Sequence, residues 1–375
     1  MITQALYALQ HRIRLHAAGM LFALRHGSPA APARGSAVGE PGKLALVITG
    51  LLGDTVMCTP VIREARRIWP AARITVIGMR HNCELLSGCP EIDGLHLVVA
   101  DPFSLRRRAE NRSFREWLVH ENFDVAIVLL GDQFAMELAR AGIPVRVGVQ
   151  GHPLSKCLSH AYDCGTPNTW GPAEKLNSLR VLGCAVREVP ATLWIDDAAR
   201  RDASESLQRL GIAPNETYAA IHPFGRAPAR RWPASRWGSL APLVRERFRM
   251  KLLLTGLTEA PFDMAPETWL VDGRSEIGMH ELPAVLERAA LVISTDSGPF
   301  HVAGALGTPL VGLFRSVYSE HSVRYPHAEI LKGVDPRCVG RCTWKRCRTL
   351  PCRQMSAITP ADVLHAMERA LAKAK

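Results

Sequence analysis

The run Ile293-Ser-Thr-Asp-Ser-Gly-Pro-Phe-His-Val-Ala-Gly-Ala-Leu306 holds turn and cap residues, Asp296, Ser297, Gly298 and Pro299, between an apolar strand signal and a small-residue helix. A helix that opens at the carboxyl end of a parallel strand directs unpaired N–H groups and its positive dipole end into the sheet crevice, where phosphates bind. Asp296 and His301 would flank such an anion site. The same pattern also fits a plain helix cap with a histidine in a packed corner. Gly304 and Gly307 bound a tight return to the next strand, Pro309 to Phe314.

A second candidate is Gly50-Leu-Leu-Gly-Asp54, which follows the buried-strand run Leu44 to Thr49 and precedes a helix expected from about Thr55 to Ile68. Gly50 and Gly53 permit close backbone approach of a ligand. Asp54 stands at the helix start, either as a reactive carboxylate or as an ordinary capping one.

A third is Gly225-Arg-Ala-Pro-Ala-Arg-Arg-Trp-Pro233, in which Arg226, Arg230 and Arg231 lie in a loop after a strand, with no acid among them. Guanidinium forks match phosphate oxygens, although arginines of this kind also pair with acids elsewhere on a surface. Glu259, after the strand Lys251 to Gly256, could accept hydrogen bonds from a ribose. Together these elements describe a diphosphate site in the second half and a single carboxylate in the first. Such a division suits transfer from a nucleotide-activated donor, because a departing nucleoside diphosphate needs cations and helix dipoles more than a strong acid. Hydrolysis of an ordinary glycoside would call for a carboxylate pair.

The elements that must carry these residues alternate between strand and helix. Strands are expected at Leu44 to Thr49, Arg73 to Met79, Leu95 to Val99, Asp124 to Leu130 and Val145 to Val149. Helices fall between them, and Leu105 to His120 is one. After a crossover at about 172 to 212, helical at both ends and extended over Glu188 to Ile195, a second series runs Tyr218 to Phe224, Lys251 to Gly256, Trp269 to Asp272, Leu291 to Ser294 and Pro309 to Phe314. Alternation of this kind predicts two doubly wound parallel sheets with a cleft between their strand carboxyl ends. A length of 375 residues fits two domains, and 47% apolar with 22% charged residues fits an ample core.

A formal charge of +11 calls for an anionic partner. Nucleic acid is disfavoured, since the basic clusters lack interleaved aromatics and aromatic content is 6%. Arg106, Arg107, Arg108, Arg112 and Arg115 cluster on the helix Leu105 to His120, as a solvated face or as a docking surface for an anionic acceptor. Residues 1–26 space Ile2, Leu6, Leu9, Ile13, Met20 and Leu24 as an amphipathic helix with Arg12, Arg14 and Arg25. This helix either docks on the domain or frays, or it lies on an anionic membrane. Residues 28–42 read as a linker, and no apolar run reaches the ~20 residues of a membrane span. Ten cysteines in so long a chain fit reduced thiols in a cytoplasm. Cys338, Cys342, Cys347 and Cys352 are close enough to ligate a metal, but lack the C-x2-C knuckle of common zinc sites, and no metal is expected.

Gly53-Asp54 with Thr59-Pro60, Arg230 ahead of Trp232-Pro233, and Asp296-Ser-Gly-x-x-His301-x-Ala303 together resemble glycosyltransferase family nine, the ADP-heptose-dependent lipopolysaccharide heptosyltransferases. The similarity runs from about Lys43 to the end, in family order. It implies an α/β GT-B fold. The expected domains are an acceptor-binding one at 43–190, a donor-binding one at 191–357, and a final helix at 358–375 crossing back to brace the first. It also implies inverting transfer with no cofactor. On this resemblance Asp54 is the general base. Gly53, Arg230, Asp296, Ser297, Gly298 and His301 border the ADP diphosphate and sugar, with Glu259 near the ribose. Arg230 stands where the family usually has a lysine, which keeps the charge and changes its geometry. The implied acceptor is a lipid A-linked core oligosaccharide, polyanionic and steered by Arg106, Arg107 and Arg108. The implied place is cytoplasmic, with peripheral contact on the inner face of the membrane. Rival expectations are another nucleotide sugar, transfer of heptose onto protein, or a non-catalytic nucleotide-sugar binder.

Overall fold

The structure, a computed structural model, describes residues 13–22, 24, 38–99, 108–164, 170–225, 227–256, 269–315, 324–338 and 349–373. The chain divides into two compact units, Met1–Ala191 and Thr192–Lys375.

The first unit is built on strands β1 (Lys43–Ile48), β2 (Arg73–Gly78), β3 (Gly94–Leu97), β4 (Val125–Leu130), β5 (Val145–Val149) and β6 (His160–Tyr162). They form one parallel sheet in the order β3-β2-β1-β4-β5-β6. Its helices are α1 (Leu52–Ile68), α2 (Arg80–Leu86), α3 (Arg108–Glu121), α4 (Ala135–Arg140) and α5 (Gly171–Arg180). The central strands are apolar on both faces because helices cover both, so β1 is buried from Leu44 to Ile48. One face packs Ala45, Val47, Ile77 and Val128 against Phe114 and Leu118 of α3 and Leu138 of α4.

Residues 13–22 are helical, and Leu15, Ala18 and Phe22 pack with Ala135 and Met136 of α4 and with Leu154 and Cys157. Gly19 lets this helix lie close, since a Cβ there would stand 2.5 Å from the Pro153 carbonyl oxygen. Of the two readings of this segment, docking holds for that face.

The second unit repeats the scheme with β7 (Tyr218–His222), β8 (Lys251–Leu254), β9 (Leu270–Asp272), β10 (Leu291–Thr295), β11 (Leu310–Arg315) and β12 (Ala328–Gly333). The order β9-β8-β7-β10-β11-β12, again parallel, matches that of the first unit strand for strand. In this order the chain reverses its direction of growth beside the first strand, so each unit has a crevice at the carboxyl ends of its first and fourth strands. The helices are α6 (Asp197–Arg209), α7 (Ala234–Phe248), α8 (Leu282–Arg288), α9 (Gly298–Leu306), α10 (Arg353–Ala357) and α11 (Pro360–Lys373).

Helix α11 opens on a reciprocal cap: Thr359 Oγ1 and the Thr359 N–H both donate to Asp362 Oδ2, at 2.6 and 2.8 Å, while the Asp362 N–H donates to Thr359 Oγ1 at 3.2 Å. Its buried face, Val363, Ala366, Met367 and Ala370, joins Trp237 and Val244 of α7 and Ile293 and Val311 of the sheet in one core. The apolar stripe of α11 is absorbed by the second unit's own sheet and α7. Helix α1 begins at Leu52 rather than at the expected position near Thr55.

Candidate functional site

In the second unit, β7 leads through Pro223, Phe224 and Gly225 to a 3-10 turn, Pro228–Arg230, and then to α7. Beside it β10 ends at Thr295 and α9 begins at Gly298. The buried Thr295 hydroxyl donates to the Phe224 carbonyl at 2.8 Å, so the two loops are tied together at the crevice. Across it Arg230 Nη1 lies 3.2 Å from Asp296 Oδ2 and 3.4 Å from the Asp296 carbonyl oxygen. The two side chains keep 29% and 19% exposure, enough to face solvent without being loose in it. Gly225 eases this approach, since a Cβ there would stand 3.0 Å from the Cβ of Arg230. Arg231 turns back and donates from Nε to the Gly225 carbonyl at 3.4 Å. Trp232 anchors the far end of the loop, donating from its indole to the Ile358 carbonyl at 3.1 Å.

Ser297 is the residue before α9, with extended φ and ψ of −154° and 171°, yet its side chain does not cap the helix. Its hydroxyl instead shares a hydrogen bond with Ser294 Oγ at 2.9 Å. No side chain of the capping residue therefore occupies the first turn, and an anion could take that position. His301, one turn in, is 4% exposed, and its Nδ1 lies 3.3 Å from the Tyr325 hydroxyl. Its ring also packs edge-on to Phe300. Room for Tyr325 comes from Gly304, where a Cβ would meet the tyrosine ring at 2.5 Å.

Beneath the crevice His222, the last residue of β7, has Nδ1 3.2 Å from Thr255 Oγ1 and its ring edge-on to Phe224. Burial lowers its pKa to about 4, against a smaller opposing effect of the Thr255 hydrogen bond, so the ring is neutral at pH 7.

In the first unit, Thr49, Gly50 and Leu51 link β1 to α1, which makes Asp54 the third helical residue, half-buried in the first turn. Gly53 is buried beside it. The loops after β1 and β4 touch, because the Thr49 hydroxyl donates to the Leu130 carbonyl at 3.2 Å and Gly131, with φ of 103°, leaves no room for a Cβ beside Thr49. From α2, fully buried Asn82 donates through Nδ2 to the Gly50 carbonyl at 2.9 Å and to Thr55 Oγ1 at 2.7 Å. His81 Nε2 lies 2.8 Å from the same Gly50 carbonyl. The turn carrying Asp54 is thus held from the neighbouring βα unit.

Farther along α1, Pro60 offers no N–H to the Val56 carbonyl, and the Thr59 hydroxyl donates to that carbonyl instead, at 2.8 Å. Cys58, fully buried, has its thiol pushed up to about 12 by burial, with Lys175, Asp54 and Glu174 as its charged neighbours. Lys175 of α5 is 13% exposed and paired with Glu174 at 3.4 Å. Burial also raises Asp132, in the loop after β4, against the opposing charges of His152 and Lys175. This group of Lys175, Glu174, Asp132 and His152 beside the Asp54 turn was not legible from local spacing.

Arg106 and Arg107 lie outside the described residues, and Arg108 is described only as the backbone that opens α3. Of the other arginines on that helix, Arg115 is engaged by buried Glu137 at 2.6 Å, which Arg140 also holds at 2.9 Å. A cavity of about 500 Å³ adjoins the end of β3, walled by His96, Val99, Glu110, Phe114, Trp117 and Phe134. Arg226, Glu259, Cys342 and Cys347 also lie outside the described residues. Cys352 is buried in the second unit's core, and among the described residues no three acidic, histidine or cysteine side chains are grouped as a metal site.

Comparison with known proteins gives a consistent picture. The model of glycosyltransferase family 9 (heptosyltransferase) matches residues 111–328. The chain is 24% identical over 276 residues to lipopolysaccharide heptosyltransferase 3 of Escherichia coli, covering 70% of this chain and 80% of that one. The crystal structure of a family 9 glycosyl transferase from Veillonella parvula superposes with a TM-score of 0.73 at 21% identity, covering 88% of this chain and 97% of that one. The E. coli ADP-heptose LPS heptosyltransferase II gives 0.70 at 19% identity, over 88% and 99% of the two chains. These superpositions show that each unit belongs to the two-domain GT-B architecture.

Proposed function

The chain belongs to glycosyltransferase family 9 (heptosyltransferase), and on that premise we propose that it moves heptose from ADP-heptose to a lipid A-linked core oligosaccharide with inversion at the anomeric carbon. The observation that carries this reading is the pairing of Arg230 with Asp296 at the mouth of the second unit's crevice, beside a helix N-terminus left open by its capping residue. A cation of fixed orientation and a helix dipole are what a departing diphosphate needs. Gly298 opens that helix and Ser297 precedes it. His301 contributes from the inner side, where its ring backs the first turn. Glu259 is proposed for the ribose on the resemblance alone.

In this mechanism Asp54 takes the proton of the acceptor hydroxyl as that oxygen attacks the anomeric carbon, the bond to the diphosphate oxygen breaks, and ADP leaves with its charge met by Arg230 and the first turn of α9. Asn82 and His81 hold the turn that aims Asp54. No cofactor takes part. Arg106, Arg107 and Arg108 are proposed to steer the anionic acceptor, a role favoured by the +11 net charge. The protein is proposed to work at the cytoplasmic face of the inner membrane, bound peripherally. Among the described residues no helix is long and apolar enough to cross a membrane.

The test is a screen of purified acceptors, including a protein acceptor, against ADP-heptose and other nucleotide sugars, with the product linkage determined by NMR. Heptose appearing on a core oligosaccharide with inverted configuration supports the proposal. Turnover only with a different sugar or only on protein replaces it, and ADP binding without any turnover makes the chain a sensor.

A further inference from the structure

The helix at residues 13–22 is apolar on two opposite sides, and only one of them is covered. Steps of about 100° per residue bring Leu15, Gly19 and Phe22 onto one side, which packs on α4 and the segment near Pro153. The same steps bring Ile13, Met20 and Leu24 onto the opposite side, with Leu21 beside them. These four are 58%, 57%, 80% and 56% exposed, in that order. Arg14 is exposed along one border of this stripe and His16 along the other.

From this geometry we infer that the outward stripe of the N-terminal helix is a docking surface for an anionic lipid bilayer, with Met20, Leu21 and Leu24 entering the acyl boundary and the bordering Arg14 meeting lipid phosphates. An aligned run of four large exposed apolar side chains is not the single scatter of an ordinary surface. Bordered by basic residues, it has the make-up of an interfacial helix. A second copy of the chain fits less well. A stripe about 18 Å long and 10 Å wide offers roughly 200 Å², against the ~800 Å² per partner of a stable interface, and a symmetric contact would bring Arg14 near its own copy.

The position in the fold links this surface to the acceptor. The docked side rests on Ala135 and Met136, the first residues of α4, just beyond the carboxyl end of β4. That strand is the neighbour of β1, whose carboxyl end leads to Asp54. A bilayer seated on the stripe would therefore bind the unit that carries the proposed base. This deepens the lipid-linked acceptor reading of the preceding subsection and rests on it for its biological purpose, but not for the binding itself.

The full chain is mixed with vesicles of phosphatidylglycerol and phosphatidylethanolamine, or of phosphatidylcholine alone, and sedimented. It is compared with a Met20→Glu/Leu21→Glu/Leu24→Glu variant that leaves the docked side intact. The native chain is expected to sediment with the anionic vesicles and much less with the neutral ones. The variant should lose about tenfold or more of that binding, with unchanged thermal unfolding and unchanged turnover of a deacylated, water-soluble acceptor. A native chain that stays in the supernatant, or a variant that binds as the native chain does, overturns the inference. So does a variant whose only change is the loss of a dimer in size-exclusion chromatography. Absence of turnover with every donor would count against the proposed function and leave the vesicle result standing.

Discussion

Arg230 and Asp296 stand 66 positions apart in the chain and meet at 3.2 Å between Nη1 and Oδ2, one from the loop after β7 and the other from the loop after β10. Parallel pairing of these strands makes the meeting unavoidable, because adjacent first and fourth strands of a doubly wound sheet deliver their following loops to one crevice. The carboxylate holds the guanidinium in place, and in the proposed donor role that fixed orientation would lower the ordering cost of binding a diphosphate.

Arg230→Ala should weaken ADP binding by roughly ten- to a hundredfold, the range of about 1.5–3 kcal/mol for a hydrogen bond to a charged group. Arg230→Lys should recover part of it, because charge survives while the fork is lost. Calorimetric titration with ADP reads both, and an alanine variant that binds as the native chain does removes Arg230 from the donor site.

Asp54→Ala should lower turnover by about two to four powers of ten while ADP affinity stays within about twofold, as for a general base acting only on the acceptor. Rates at saturating donor decide the matter. Near-native turnover would exclude the role.

Asn82→Ala strips two hydrogen bonds from the Gly50–Thr55 turn and leaves the Gly50 carbonyl with only His81. A stability loss of about 1–3 kcal/mol is expected for a buried pair so disrupted. Because the turn aims Asp54, turnover should fall further than the folded fraction does, and urea unfolding alongside rate measurements separates the two effects.

His222 makes stability depend on pH. Its folded pKa of about 4 lies below the 6.5 of the unfolded chain, so between these values the unfolded state binds more protons. The contribution is fully present above pH 6.5 and drains away as pH falls toward 4. The unfolding free energy from urea titrations across that window should decline by an amount on the order of 1–3 kcal/mol, and His222→Asn should flatten the decline. Equal slopes for both proteins would show that this ring does not titrate as the fold implies.

What could be read from the residues was what buried parallel sheets write locally. Strands β1, β4, β7, β10 and β11 are covered on both faces and appear as largely apolar runs, and β1, β4, β7 and β10 lead into turns that hold a glycine, so the Asp54, Arg230 and Asp296 loops were legible. Strands β6 and β12 were not. The first has three residues, and the second is half-buried along most of its length, so neither forms such a run. Asn82, Lys175, Asp132 and Tyr325 escaped for another reason: each reaches its site from a different βα unit, and only the assembled sheet brings it there.

The cap of α11 and the loop at Trp232 share one dependency, since the tryptophan indole donates to the carbonyl of Ile358, the residue just before Thr359.

Residue 304 illustrates how a scan of substitutions could mislead. A methyl group at this glycine would collide with the phenol of Tyr325, and the phenol is what His301 leans on. An alanine there would displace Tyr325 and with it the partner of His301, so under the proposed role of His301 a loss of rate at position 304 would report on the scaffolding behind the histidine rather than on chemistry at the glycine itself.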